Sequence, residues 1–219
     1  MKDHLMNQFS KIFFLKTHKT GSSTVANILQ RYAYLRKKYA ILPRRGHIFS
    51  LNKTFSIFSA APILYKPEAI FNHMVFNEKE VAKILPKTPN TLYVTILRDV
   101  RSALESRITF YRLANKINLS SDPYLASEDL AINFPNYQKK TGLVGSNWYY
   151  FQLSRNKSIP SVETRTDVIQ KEIDHLDKLF DIVLIMELFD EGLILLKYMV
   201  CHTNSKFTSY TLFCNRSQC

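Results

Sequence analysis

The chain has 219 residues, 46% of them apolar and only five glycine, which suits one domain with a sizeable core and excludes a disordered or fibrous protein. Its formal charge of +12 points to an anionic partner: nucleic acid, membrane surface, polyanionic glycan or phosphorylated cofactor. No run of roughly 18–20 apolar residues marks a membrane span, and Met1–Ser10 lacks the apolar centre of a signal peptide.

The first predicted element is a buried strand at Lys11–Lys16, followed by a polar loop at Thr17–Gly21. From Ser22 the pattern turns helical, with Val25, Ile28, Leu29, Tyr32 and Leu35 on one face. Arg36–Arg45 is basic, contains Pro43 and reads as surface. Ala69–Asn72 has the composition of a short strand. Asn77 is a good helix cap, with Glu78 and Glu80 in the first turn and Pro86 as the stop. Thr91–Leu97 (TLYVTIL) is the clearest strand, and a helix is expected from Val100 to Leu113. Ser120–Asn147 is polar and interrupted by Pro123, Pro135, Gly142 and Gly145, leaving room for short helices only. A long helix is expected over Val162–Phe180, with Ile169, Ile173, Leu176 and Phe180 as its stripe. A strand at Ile182–Met186 and a helix at Asp190–Val200 follow, the latter with Leu193, Leu196 and Val200 inward.

Continuous apolar strands alternating with amphipathic helices imply an α/β fold, a parallel sheet covered on both faces. Ligands in such folds bind at the carboxyl ends of strands, here the loops after Leu15, Leu97 and Met186. Cys201, Cys214 and Cys219 crowd the last twenty residues, a pattern equally compatible with one bridge, such as Cys201 to Cys214, and with thiols. Sequons start at Asn52, Asn118, Asn156 and Asn215 and lean mildly toward a secretory lumen.

The segment from Lys16 to Thr24 joins the first strand to the first helix. A helix N-terminus offers backbone N–H groups and the positive end of the dipole to an anion. Gly21 permits close approach, Thr20, Ser22, Ser23 and Thr24 carry hydroxyls, and Lys19 adds charge at the mouth. A Walker loop is excluded, because the lysine precedes the only glycine. The bland alternative is a capped helix with solvated lysines. A second pattern places Arg98 directly after the strand Thr91–Leu97 and Ser106 eight residues on. Both side chains can face one pocket, and an arginine fork at a strand end suits phosphate. A surface pair of Arg98 with Asp99 is the alternative.

The order strand, Lys19-Thr20-Gly21-Ser22-Ser23-Thr24, helix resembles the 5'-phosphosulfate loop of sulfotransferases that use 3'-phosphoadenosine-5'-phosphosulfate (PAPS). By that resemblance Lys19 meets the leaving group, and Lys16, Thr17, Thr20, Gly21, Ser22, Ser23 and Thr24 complete the loop. Arg98 and Ser106 match the family's 3'-phosphate pair. FFLKTHKTGSST, FNHMVFN at Phe71–Asn77, TILRDVRSALES at Thr95–Ser106 and FDIVLIMELFDEGLILLKYMVC at Phe180–Cys201 are closer still to galactose 3-O-sulfotransferases. The similarity runs from about Lys11 to Cys201 and is patchy through Ser120–Lys171.

This resemblance implies a P-loop-like sheet and sulfuryl transfer to the 3-hydroxyl of galactose on a glycolipid or glycan. It also implies a Golgi-resident type II membrane protein, with neither a metal nor a nucleic acid partner. The family's anchor is not seen in residues 1–10, which read as a remnant. Residues 11–201 are expected to be a sulfotransferase domain incomplete at its C-terminus, and 202–219 an unassigned tail. A truncated or inactive relative that binds anionic glycans is the alternative function. A nucleotide kinase and a basic binding module are the outside rivals.

Of six histidines, His4, His47, His175 and His202 sit in uninformative contexts. His18 lies inside the phosphate loop and His73 after a short strand, and both match positions shared by the galactose 3-O-sulfotransferases. A sugar hydroxyl must lose a proton, and histidine takes one well near neutral pH. His73 is expected to be the base and His18 a donor-side contact, with the reverse as second choice. Glu187 is expected either to face the active site or to cap the last helix. Trp148, Tyr149, Tyr150 and Phe151 are expected to be core, with a sugar-stacking platform as the alternative.

Overall fold

The computed structural model describes residues 9–50, 53–133, 137, 148–153 and 166–201. The tail from His202, with its two cysteines and Asn215, lies outside these residues. So do His4, Asn52, Asn156, the expected helix start at Val162 and the side chains of Trp148, Tyr150 and Phe151.

Five strands form one parallel sheet in the order β2-β3-β1-β4-β5: β1 Lys11–Leu15, β2 Ala40–Ile41, β3 Ala69–Ile70, β4 Thr91–Leu97 and β5 Ile182–Ile185. Strand side chains alternate between faces, so each apolar run fills two cores at once. Ile12 and Phe14 join Leu92, Val94 and Ile96 on one face; Phe13, Leu15, Ile70 and Tyr93 point to the other. The first core is closed by α1 (Ser22–Leu35) and by the last helix, which contributes Leu196 and Val200. The second is closed by α2 (Glu78–Ile84) and by Phe49, Phe55, Met74 and Phe76 from the chain between β2 and α2.

The helices largely follow the predicted signals. Asn77 caps α2 by accepting from the Glu80 N–H, and the helix ends before Pro86. Helix α3 (Val100–Tyr111) stops two residues before the expected Leu113, because Arg112 turns left-handed at φ 52°; α4 (Leu113–Ile117) then starts afresh. Helix α5 (Pro123–Ile132), capped by Asp122, buries Ala126 and Leu130 against Ile108, Leu113 and Ile117. Helices α6 (Trp148–Leu153), α7 (Thr166–Leu179) and α8 (Phe189–Cys201) complete the described chain.

Three expectations need correction. Ala40–Ile41, inside the stretch read as surface, is edge strand β2, and Ile41 is buried on β3. On α1 the inward stripe is Val25, Ala26, Leu29, Tyr32 and Ala33, with Leu35 exposed, because the small alanines let the helix lie close to the sheet. On α7 only the last turn reaches the sheet: Leu176 packs against the core with Leu179 and Phe180, while Ile169 and Ile173 are exposed.

The chain runs from β1 to β2 and β3 on one side, then crosses to β4 and β5 on the other. The carboxyl end of β1 is therefore the topological switch point, where open α/β sheets form a crevice.

Candidate active site at the end of the first strand

A cavity of about 370 Å³ opens at that switch point, lined by Lys16, His18, Lys19 and Gly21 to Thr24, by His47 and Ile48, by His73, and by Phe110 and Tyr111. No acidic side chain is among these lining residues, so the cavity is an anion-attracting one.

The loop is built by its own side chains. The Thr17 hydroxyl donates to the Ile96 carbonyl at 2.5 Å, which ties the loop to β4, and sits 2.8 Å from the Thr20 hydroxyl. Ser22 Oγ donates to the Thr17 carbonyl at 2.5 Å. These three hydroxyls thus hold the loop, whereas Ser23 and Thr24 lie exposed on the cavity side. Gly21 caps α1 at φ 73° and no side chain caps the helix start; the Thr24 N–H donates to the Gly21 carbonyl at 3.0 Å, and the N–H groups before it point to an anion site. A Cβ on Gly21 would meet Met186 Sδ at 2.5 Å and push that flexible side chain aside, and at φ 73° any L side chain would be strained.

Lys19 also adopts a left-handed backbone, φ 63°, a conformation a lysine keeps only where its surroundings enforce it. Its ammonium stands 3.8 Å from the centre of the Phe110 ring. Partial burial, and then Arg98, lower its pKa. Arg98 lies behind the loop: Nη1 donates to the Lys19 carbonyl at 3.4 Å. Neither Arg98 nor Ser106 lines the cavity itself. Ser106 is half-buried on α3, about 9 Å along the helix axis from Val100.

His73 sits beside Lys16 in a parallel bridge, and its Nδ1 lies 2.8 Å from the Lys16 carbonyl. A carbonyl only accepts, so Nδ1 carries the proton and Nε2 the lone pair. The rings of His18 and His73 stack at 3.9 Å between centres, 19° from parallel. Burial, then the Arg107 and Lys16 charges, push His18 down to about 4. Burial, then His18 and Lys16, push His73 down to about 3. Both imidazoles are therefore neutral near pH 7, and the same burial lowers their affinity for a proton while the cavity is unliganded.

A sequence profile for Galactose-3-O-sulfotransferase matches residues 6–217. The chain belongs to that family. Among its curated relatives are galactose-3-O-sulfotransferase 2 of Mus musculus, 30% identical over 86% of this chain and 48% of the relative, and the galactosylceramide sulfotransferase of Homo sapiens, 30% identical over 87% and 45%. Galactose-3-O-sulfotransferase 3 of Homo sapiens is 28% identical over 86% and 44%. The chain thus spans slightly less than half the length of the curated relatives it matches. No solved structure matches it.

Lys19, His18 and His73, the three residues expected to be catalytic, are brought by the fold to one cavity. Other residues around this cavity are joined to it by contacts that no local pattern signals. Gln152 contacts His18 from α6 through both ends of its amide. Tyr149 brackets Arg98, its hydroxyl donating to the Arg98 carbonyl at 3.0 Å and accepting from the Arg98 N–H at 3.2 Å. It packs on the core as well, the first of the two expected roles for that aromatic cluster. Glu187 does not line the cavity; its carboxylate accepts from the Asp99 N–H at 3.0 Å. Asp99 in turn caps α3 through the Ser102 N–H. His47, read as uninformative, lines the cavity. Only the neighbouring strand ends could have hinted at these, since each is brought in by tertiary packing.

Proposed function

We propose that the protein transfers a sulfuryl group from PAPS to the 3-hydroxyl of a galactose on a glycolipid or glycan. The observation that carries this reading is one cavity that joins an uncapped helix N-terminus, a lysine and a neutral histidine with its lone pair on Nε2. The uncapped start of α1, with the left-handed Gly21 before it, suits the 5'-phosphosulfate, which the backbone from Gly21 to Thr24 would hold with Lys16 and Lys19. Arg98 and Ser106 would take the 3'-phosphate, reached from behind the loop. When bound, PAPS supplies an activated sulfuryl group.

His73 Nε2 takes the proton of the galactose hydroxyl as its oxygen forms a bond to sulfur. The S–O bond to the 5'-phosphate breaks, and its electron pair stays on the leaving phosphate oxygen. Lys19 and the N–H groups of α1 meet the charge that develops there. His18 contacts the donor side. Residues 11–201 form the sulfotransferase domain in this reading, and the reaction belongs in the Golgi lumen, where the family's membrane-anchored members work. Among the described residues no helix is long and apolar enough to cross a membrane.

The test is incubation with radiolabelled PAPS and a panel of galactosides, alongside melting curves with adenosine-3',5'-bisphosphate. Label on a 3-hydroxyl, and a melting point raised by the bisphosphate but not by sulfate, are expected. Equal stabilisation by sulfate, ATP and the bisphosphate, with no labelled product, would leave a basic glycan-binding protein instead. Within the site, His73→Ala should bind PAPS normally and lose transfer. Loss of PAPS binding in His73→Ala, with binding kept in His18→Ala, would reverse the two roles.

A further inference from the structure

The two stacked imidazoles look equivalent by burial, yet their protons sit on different nitrogens, and the reason lies on α6. The backbone N–H of His18 can only donate. It points at Gln152 Oε1, 3.2 Å away, and so fixes which end of the amide is oxygen. The other end must then be the NH2 group, 2.6 Å from His18 Nδ1. An NH2 group can only donate, so Nδ1 accepts and the neutral ring keeps its proton on Nε2. His73 is the reverse, with its proton on Nδ1 held by the Lys16 carbonyl. Gln152 is itself pinned: it is 1% exposed, and its own carbonyl accepts from the Phe76 N–H, three residues past His73.

We propose that Gln152 is a positioning residue that sets the stacked pair in opposite polarity, so that His73 alone presents a lone pair at Nε2 while His18 carries an N–H there. The inference rests on the sulfotransferase reading for its catalytic consequence, but the proton positions stand by themselves. A second lone pair beside the first would compete for the acceptor's proton. An N–H at His18 Nε2 is instead suited to donate to an oxygen of the anionic donor. Gln152 touches neither substrate in this scheme and acts through His18. The charged and titratable groups acting on the pair are Lys16 at the end of β1, Arg107 on α3 and His47 in the loop after β2.

The experiment is long-range proton–nitrogen correlation of the histidine rings in the full 219-residue chain labelled with nitrogen-15, without ligands, at neutral pH. The wild type is expected to show His18 protonated on Nε2 and His73 on Nδ1. In Gln152→Glu the carboxylate accepts from both the His18 N–H and Nδ1–H, so the His18 proton moves to Nδ1 or the ring becomes doubly protonated, while the His73 pattern stays. Gln152→Met keeps the volume without hydrogen bonds and should give a mixture of His18 tautomers. In the transfer assay both variants should lose tenfold or more in kcat, and Gln152→Asn, which keeps the amide, should recover part of it. A wild-type His18 protonated on Nδ1 overturns the proposal, and so does full transfer activity in a folded Gln152→Met. If the glutamate variant does not fold, the wild-type spectrum and the methionine variant decide. A wild type with the expected tautomers but no sulfotransferase activity sinks the reading of the reaction and leaves the proton positions intact.

Discussion

The β1–α1 loop takes its inner frame from hydroxyls of its own residues, with Ile96, Arg98 and Gln152 reaching it from elsewhere, whereas the β4–α3 loop, at the end of the neighbouring strand, is held at Arg98 and Asp99 chiefly by side chains far along the chain. In the first, Thr17, Thr20 and Ser22 bind one another's hydroxyls and carbonyls, and Thr17 reaches across to Ile96. In the second, Arg98 is gripped by Tyr149 and Asp99 by Glu187. The difference teaches where preorganisation comes from. A loop that binds by backbone N–H groups must be rigid before the ligand arrives, and short-range hydrogen bonds provide that. A loop that binds through one long side chain needs only its base held.

The largest expected effect is at Gly21. Gly21→Ala forces a left-handed alanine, costing about 1–2 kcal/mol for the backbone, and displaces the flexible end of Met186 at a smaller further cost. Chemical denaturation should show the loss, and a variant as stable as wild type would mean that the loop is less rigid than its hydrogen bonds imply. Lys19→Ala follows. It should leave the denaturation midpoint near wild type and lower the transfer rate by roughly 10²–10³, the scale set by losing one preorganised donor. Near-normal turnover in that folded variant would remove Lys19 from the mechanism.

The second loop should respond in binding rather than stability. Arg98→Ala and Ser106→Ala are expected to weaken adenosine-3',5'-bisphosphate by roughly 10–100-fold and adenosine-5'-phosphate much less, as loss of a charge-assisted hydrogen bond implies. Equal losses for both nucleotides, read by calorimetry, would show that the pair does not sense the 3'-phosphate. Tyr149→Phe is the mildest change. It removes the grip on Arg98 and should cost about 1 kcal/mol in stability, with a few-fold weaker bisphosphate binding. An effect as large as that of Arg98→Ala would mean that this loop, too, depends on being rigid.

The same contrast explains what the sequence made legible. Strands of four to seven apolar residues and capped helices are local, so β1, β4, β5, α2 and the start of α3 are readable from periodicity and caps. The self-held loop is local as well, and Lys19, Gly21 and the hydroxyls after it stand out in nine consecutive residues. Edge strand β2 escaped because two residues between arginines carry too little pattern, and its burial depends on pairing with β3. Gln152 escaped for the same kind of reason, as did the contacts that Tyr149 and Glu187 make: the partners lie 134, 51 and 88 positions away. The hydroxyls of Thr17, Thr20 and Ser22 were legible as polar groups but not as the loop's own frame, because a spacing does not say which way an O–H points.

The long reach of Gln152 gives the chain a timetable. His18 leaves the ribosome 134 residues before the amide that sets its proton. At about 5–20 residues per second, the wait is on the order of ten seconds. Through that interval β1 and α1 exist without strand β5 and helix α8, which later complete the same core, and Phe14, Val25 and Leu29 stay open to the wrong partners. Met186, the wall against Gly21, comes later still. A nascent chain released early would carry every residue of the β1–α1 loop and have neither its wall nor its paired imidazoles in place.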